Sequence, residues 1–170
     1  ALDITIARCA GQRDHFLLSL IDRTVELASV NNLRREMLSD SLTGFANRTG
    51  FEEAVESAVA EAPDGSEYAM ILVDISRFSQ VNEMAGSLAG DELLITAARR
   101  LNSRVRNNEI LCRLGANEFA LFARIDSVER VEVLADRLAK AFDEPFRLSQ
   151  LEIQVNCAIA AAIGSVGHIN

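Results

Sequence analysis

The chain has 170 residues, of which 49% are apolar and 25% charged, and its net charge is −8. That length supports one domain plus an appendage, with a core that needs no disulfide or metal staple. The acidic balance argues against nucleic acid as a partner, since binding a phosphate backbone rests on a clustered basic face; a small phosphorylated ligand held by backbone N–H groups or a cation is not excluded.

With no Trp and 5% aromatics, the core must be built from Leu, Val, Ile and Ala. Cys9, Cys112 and Cys157 are far apart with no C-x-x-C spacing, and read as reduced thiols of a cytosolic chain without a zinc site. No apolar run approaches a membrane span and no signal peptide opens the chain. A cytoplasmic location is expected, including that of the cytoplasmic part of a membrane-anchored protein. The first residue is not Met, so a piece of a longer protein is expected.

Residues 2–9 (LDITIARC) alternate apolar and polar, Gly11-Gln12-Arg13-Asp14 reads as a turn, and His15–Ile21 reads as a second strand. A lone hairpin is marginal in water, so residues 1–22 read as the end of an upstream domain. Asp22 or Thr24 then starts a helix to Leu38, in which Leu27, Val30, Leu33 and Met37 form one narrow apolar stripe. Residues 23–39 are either a linker helix with a seam for a partner helix or a helix lying on its own domain.

Asp40–Gly44 breaks this helix, and Asn47-Arg48 opens another to about Ala62 with Phe51, Ala54, Val55 and Val59 on one face. Pro63–Ser66 is a turn. Tyr68–Val73 is a continuous apolar run, as in a strand buried on both faces, and ends in Asp74. Helices are predicted from about Phe78 to Met84 and from about Leu88 to Val105, the second presenting Leu93, Leu94, Ala97, Leu101 and Val105. Ile110–Cys112 and Ala120–Ala123 read as strands of a hairpin turning at Gly115-Ala116-Asn117. Ser127 is predicted to cap a helix to about Phe142, with Val128, Val131, Leu134, Leu138 and Phe142 inward and Pro145 ending it. Glu152–Ile163 reads as one strand, with a short one at Phe146–Leu148 before it. From Tyr68 the order is β-α-α-β-β-α-β, an α/β (α+β) chain with a ferredoxin-like mixed sheet and helices packed against it.

Asp74 ends a strand next to a helix start, where ligand sites of α/β sheets lie. It either contributes to a Mg²⁺ site completed by substrate phosphates or caps the following helix. Asn82 and Asp91 flank Gly86 and Gly90; together they offer the donor and acceptors that a guanine edge needs, or they form a polar inter-helix turn. Arg106 and Glu109, three apart, are either an anion clamp or a solvated ion pair.

Together these pieces resemble the GGDEF family, the diguanylate cyclase domain of bacterial cyclic-di-GMP signalling, from Asp40 to about Gly164. Asp40-Ser-Leu-Thr-Gly-Phe-Ala-Asn-Arg48 is similar to the family's D-x-L-T-G-L-x-N-R. Val73–Phe78 resembles its D-x-D-x-F-K segment, Val81-Asn82-Glu83 its I-N-D, and Gly86–Leu94 its G-H-x-x-G-D-x-L-L. Arg113-Leu-Gly-Ala-Asn-Glu-Phe119 stands where the family has R-x-G-G-D/E-E-F. The hairpin ending in Asp22-Arg23-Thr24 resembles the last strands of a PAS sensor domain.

The resemblance implies a nucleotide-cyclase-like fold over residues 40–170, without the family's closing phosphate-binding Lys and Arg segment. It implies GTP as substrate and cyclic-di-GMP as product. It places Asp74 and the Ile75 carbonyl at a Mg²⁺ that a competent site would hold, and Asn117 and Glu118 at the catalytic signature. Asn82, Asp91, Gly115, Ala116 and the backbone to Phe78 fall at nucleotide-binding positions. Arg106 and Glu109 occupy the inhibitory product site. A homodimer through the linker helix is implied, and Glu144–Leu148 with Ile153 resembles chains in which an EAL phosphodiesterase domain follows.

Departures from the pattern are as informative. Asn117 replaces the metal-binding acid, Ala116 the second Gly, Ser76 the second Asp, Ser79 the Lys and Ser87 the His, while Glu109 is one methylene longer than the family's Asp. Losing a metal carboxylate and a phosphate lysine lowers the rate by on the order of 10²–10⁴. Little or no cyclase activity is expected, and a regulatory domain is the preferred reading. The alternatives are a weakly active cyclase working as a dimer, and a ligand-free dimerisation or docking module.

Overall fold

A computed structural model describes residues 2–9, 15–22 and 32–165, and the chain forms two compact units, residues 1–37 and 38–170. In the first unit, β1 (Leu2–Cys9) pairs antiparallel with β2 (His15–Asp22) in continuous register from Leu2–Asp22 to Cys9–His15. This is the predicted hairpin. Its turn at Gly11–Asp14, together with Thr24, Leu27 and Val30, lies outside the described residues. Asp22 is the last residue of β2, and the helix start expected at Asp22 or Thr24 lies outside the described residues. Helix α1, described over residues 32–38, leaves Leu33 60% and Met37 75% exposed.

The second unit begins with a turn in which Gly44 (φ 74°) donates to the Asp40 carbonyl at 2.8 Å. A side chain there would be strained, since L-residues rarely adopt that φ. Helix α2 (Arg48–Ala60) follows, its N-cap Asn47 accepting from the Gly50 amide as predicted. Strand β3 (Glu67–Ile75) leads to α3 (Phe78–Ala85) and α4 (Ser87–Asn102). Both helices turn on Gly86 at φ 84°, which ends one and starts the next. Strands β4 (Glu109–Gly115) and β5 (Glu118–Ile125), helix α5 (Glu129–Ala139), the short pair β6 (Phe146–Arg147) and β7 (Glu152–Ile153), and β8 (Cys157–Ser165) complete the order.

The main sheet runs β4-β5-β3-β8, the expected ferredoxin-like arrangement. Its ladders are all antiparallel where a mixed sheet was expected, and among the described residues the parallel contact is the isolated bridge from Ala46 to Cys112. Alternation along β3 divides the core. Ala69, Ile71, Val73 and Ile75 face α3, α4 and α5 with Val81, Leu93, Leu94, Leu101, Leu134 and Leu138. Tyr68 faces the other side with Phe51 of α2, Cys112, Ala120 and Phe122, and stacks on Phe122 at 4.7 Å between ring centroids.

Four local expectations change. The β3 run was expected to be buried on both faces, yet Leu72 is 43% exposed because α2 packs on β4 and leaves the β3 end of that face uncovered. The single strand expected at Glu152–Ile163 is two: β7 pairs with β6, β8 pairs with β3, and Val155 between them is buried in the core. Helix α5 starts from Val128 with no side-chain cap, because the Ser127 and Val128 carbonyls already receive the Arg130 and Val131 amides. That first tight turn also points Val128 outward, 62% exposed. Finally, α5 stops at Ala139, well before Pro145. The C-cap and the loop after α5 are held from α4 and the turn that follows it: Arg104 donates to the carbonyl of the C-cap Lys140, and Arg100 of α4 donates to those of Ala141, Glu144 and Pro145 while lying 4.1 Å over the Phe146 ring.

Candidate functional site

Antiparallel pairing carries the site. β5 lies beside β3 with Asp74 opposite Glu118 and Val73 opposite Phe119. Every residue of the 115–117 turn is therefore delivered to the C-terminal end of β3. The Ile75 amide donates to the Asn117 carbonyl at 3.1 Å. The Asn117 side-chain amide donates twice, to Asp74 Oδ2 at 2.9 Å and to the Ile75 carbonyl at 2.9 Å. Asp74, Ile75 and Asn117, widely separated in sequence, are thus brought together as the motif spacing implied. Glu118 and Ala116 are exposed, and no atom lies within 4 Å of where a Cβ on Gly115 would sit.

The turn is braced from behind by a contact that the sequence reading did not assign. Arg113 Nη1 donates to both Asp40 oxygens at 3.0 Å, and Nη2 donates to the Ala116 carbonyl at 2.7 Å. Asp40 also accepts from the Thr43 amide at 2.8 Å and hydroxyl at 2.7 Å. The Arg113 amide donates to Ala46. The opening motif is therefore the strap that holds the signature turn. Burial is the largest single influence on the Asp40 carboxyl and raises its pKa. The Thr43 hydroxyl and amide and the Arg113 guanidinium together outweigh it and leave the pKa below the ordinary carboxylate value. The Asp-x-x-Thr spacing at 40–43 and an Arg at the entry of the turn were the available signals.

After Asp74 the backbone bends sharply. Ser76 donates its amide to the Asn156 carbonyl, and Arg77 takes φ 58°, the left-handed region. Among the described residues it is the one non-glycine there. Such conformations cost of order 1 kcal/mol and concentrate at functional sites. Arg77 is also the N-cap position of α3, with no side-chain cap bond, so Asp74 does not cap that helix.

Asn82 lies on α3 and Gly90-Asp91 on the facing α4. Asn82 Oδ1 is buried and has no hydrogen-bond partner. A Cβ at Gly90 would fall 1.9 Å from that oxygen, so glycine is what lets the acceptor lie there. Asp91 is exposed. The pair offers an orphaned acceptor beside a solvent-facing carboxylate, which is the donor-seeking edge a purine with N–H groups would satisfy.

Arg106 and Glu109 are differently engaged. Glu109 is buried, its Oε2 accepting from the Arg106 amide at 2.8 Å and pairing with Arg137 of α5. The Arg106 side chain is exposed. Their spacing closes the turn into β4 rather than setting two free side chains side by side.

The family's Mg²⁺ does not fit this donor set. A divalent cation takes oxygen acceptors. Here the position facing both the Asp74 carboxylate and the Ile75 carbonyl is filled by an N–H donor, and no cluster of three His, Cys, Asp or Glu is found among the described residues.

The chain matches the family model "Diguanylate cyclase, GGDEF domain" over residues 37–168. It is 29% identical over 155 residues to the cyclic di-GMP phosphodiesterase PdeR of Escherichia coli, covering 91% of this chain and 23% of that protein. It is 32% identical over 147 residues to the bifunctional diguanylate cyclase/cyclic di-GMP phosphodiesterase MucR of Pseudomonas aeruginosa, covering 83% and 22%. The chain thus spans under a quarter of the length of either relative. The solved GGDEF domain of TpbB from Pseudomonas aeruginosa superposes with a TM-score of 0.68 at 29% identity, covering 74% of each chain. With a matched fold, the signature turn opposite Asp74 and the family model over most of its length, this chain belongs to the GGDEF diguanylate cyclase domain family.

Proposed function

We propose that this is a catalytically impaired GGDEF domain that binds a guanine nucleotide through Asn82 and Asp91 and regulates a neighbouring domain. The observation that carries the impairment is the Asn117 amide donating to Asp74 and Ile75, which leaves no acidic ligand where the signature should supply one. The observation that supports binding is the buried Asn82 Oδ1, which has no hydrogen-bond partner and lies where a side chain at position 90 would leave it no room. A Cβ at Gly115 would meet open space, so a phosphate can approach the turn there. No catalytic step is derived through a metal.

Regulation is supported by the relatives. PdeR is named a phosphodiesterase although a segment of it matches this domain, and MucR carries both activities. By that analogy the controlled neighbour is an EAL phosphodiesterase domain, the hairpin β1–β2 is the end of a PAS-like sensor, and α1 with its exposed Leu33 and Met37 joins two copies. Among the described residues no helix is long and apolar enough to cross a membrane. An inhibitory product site at Arg106 would have to form with Glu109 already held by Arg137.

Calorimetry with GTP tests it. The chain binds GTP, and Asn82→Ala weakens binding at least tenfold, a loss of about 1.4 kcal/mol. Equal affinity in the variant, or no heat with the parent chain, contradicts nucleotide recognition.

A further inference from the structure

The Asp74 carboxylate and the Ile75 carbonyl converge on one atom, Asn117 Nδ2, at 2.9 Å each. Two acceptors aimed at a single point need a positive partner there, either a cation or a double donor. The orientation of the amide follows from the same chemistry: turned over, Asn117 Oδ1 would face two oxygens with no proton between them. An amide NH₂ carries two protons, so each oxygen receives one. The Ile75 amide returns a third bond to the Asn117 carbonyl at 3.1 Å.

We propose that the Asn117 carboxamide is a built-in substitute for the divalent cation, a covalently attached donor that closes the metal subsite and staples the signature turn to β3 without any metal. The proposal rests on the reading of this turn as the cyclase signature. It adds that the subsite is filled rather than merely weakened. To enter, a cation would have to break both donor bonds and would then meet one carboxylate, one carbonyl and a neutral amide oxygen. An acid at position 117 would reverse the situation, since carboxylate oxygens would face Asp74 and Ile75 with no donor, and the junction of the turn with β3 would be stabilised by a cation placed there. The junction between β3 and the turn in this chain is therefore insensitive to Mg²⁺.

The test is a Mn²⁺ titration of the chain without nucleotide, followed by electron paramagnetic resonance of free Mn²⁺, with thermal unfolding in EDTA and in millimolar Mg²⁺. The parent chain is expected to bind no Mn²⁺ that Asp74→Asn abolishes, and to unfold at the same temperature in EDTA and Mg²⁺. Asn117→Asp is expected to unfold several degrees lower in EDTA, to recover in Mg²⁺ or Mn²⁺, and to gain one Mn²⁺ at least tenfold tighter than any site in the parent. Stoichiometric Mn²⁺ binding by the parent that is lost in Asp74→Asn overturns the proposal, as does an Asn117→Asp variant whose unfolding ignores both EDTA and metal. Should Asn117→Asp not fold in EDTA, refolding on adding Mn²⁺ supports the staple and failure to refold counts against it. The titration contains no GTP, so it is separate from the functional reading. Cyclase turnover by a chain that binds no free Mn²⁺ would sink the impairment and leave the staple standing.

Discussion

Asp40 and Arg113 are 73 residues apart in the chain, yet the bond between them decides where the signature turn sits. Both side chains are largely covered, 22% and 12% exposed, so the pair is worth more than a surface ion pair. Arg113→Ala should cost about 2–3 kcal/mol in urea unfolding, since it strips charged hydrogen bonds from Asp40 and the Ala116 carbonyl together. The pH dependence follows from the lowered Asp40 pKa. A folded value below the unfolded one means the stabilisation is fully present above about pH 4 and drains away as pH falls through the folded value. Asp40→Asn should remove that part of the acid slope and leave the neutral-to-alkaline range flat by comparison. Gly90 gives a second prediction at this scale. Its added methyl meets the end of the Asn82 side chain, which can swing aside. Gly90→Ala should therefore unfold within about 1 kcal/mol of the parent but bind GTP at least tenfold more weakly.

Elements were legible where their period was clean. The alternating and continuous apolar runs at 2–9, 15–21, 68–73 and 120–123 placed the strands that extend from them, and the Leu93-Leu94-Ala97-Leu101 face placed α4 against the core. The β7–β8 break was not legible, because Ile153, Val155, Cys157 and Ile159 continue the same alternation while the backbone changes partner from β6 to β3. The start of α5 was misread because Ser127 looks like a cap by type, whereas here carbonyl acceptors do that work. Arg106 and Glu109 show the same limit: spacing brought them to notice, but only the fold reveals Arg137 arriving from α5 to bury the carboxylate. Arg100 was likewise invisible in sequence. It gathers three carbonyls of the loop that follows α5 and covers Phe146, so Arg100→Ala should lower stability by about 2 kcal/mol in chemical denaturation, with Arg100→Lys restoring only part because a point charge cannot fork.

At the scale of the molecule, the ferredoxin-like sheet explains why so local a change as Asn117 matters. The fold delivers Asp74, the bend through Arg77 and the signature turn to one end of the sheet, and α3 and α4 carry Asn82 and Asp91 beside them. The proposed recognition pair and the signature turn therefore stand on different elements, and the sequence keeps the family's residue types at the first while departing from them at the second. The site residues were legible because the motif spacings survive, whereas what Asn117 does was not, since its two acceptors lie on another strand. Cyclic-di-GMP formation from GTP and Mg²⁺ by the longest protein that contains this chain measures directly whether the domain has lost turnover. The expected rate is lower than that of an active relative by on the order of 10²–10⁴. Turnover within tenfold of such a relative would overturn the proposed impairment.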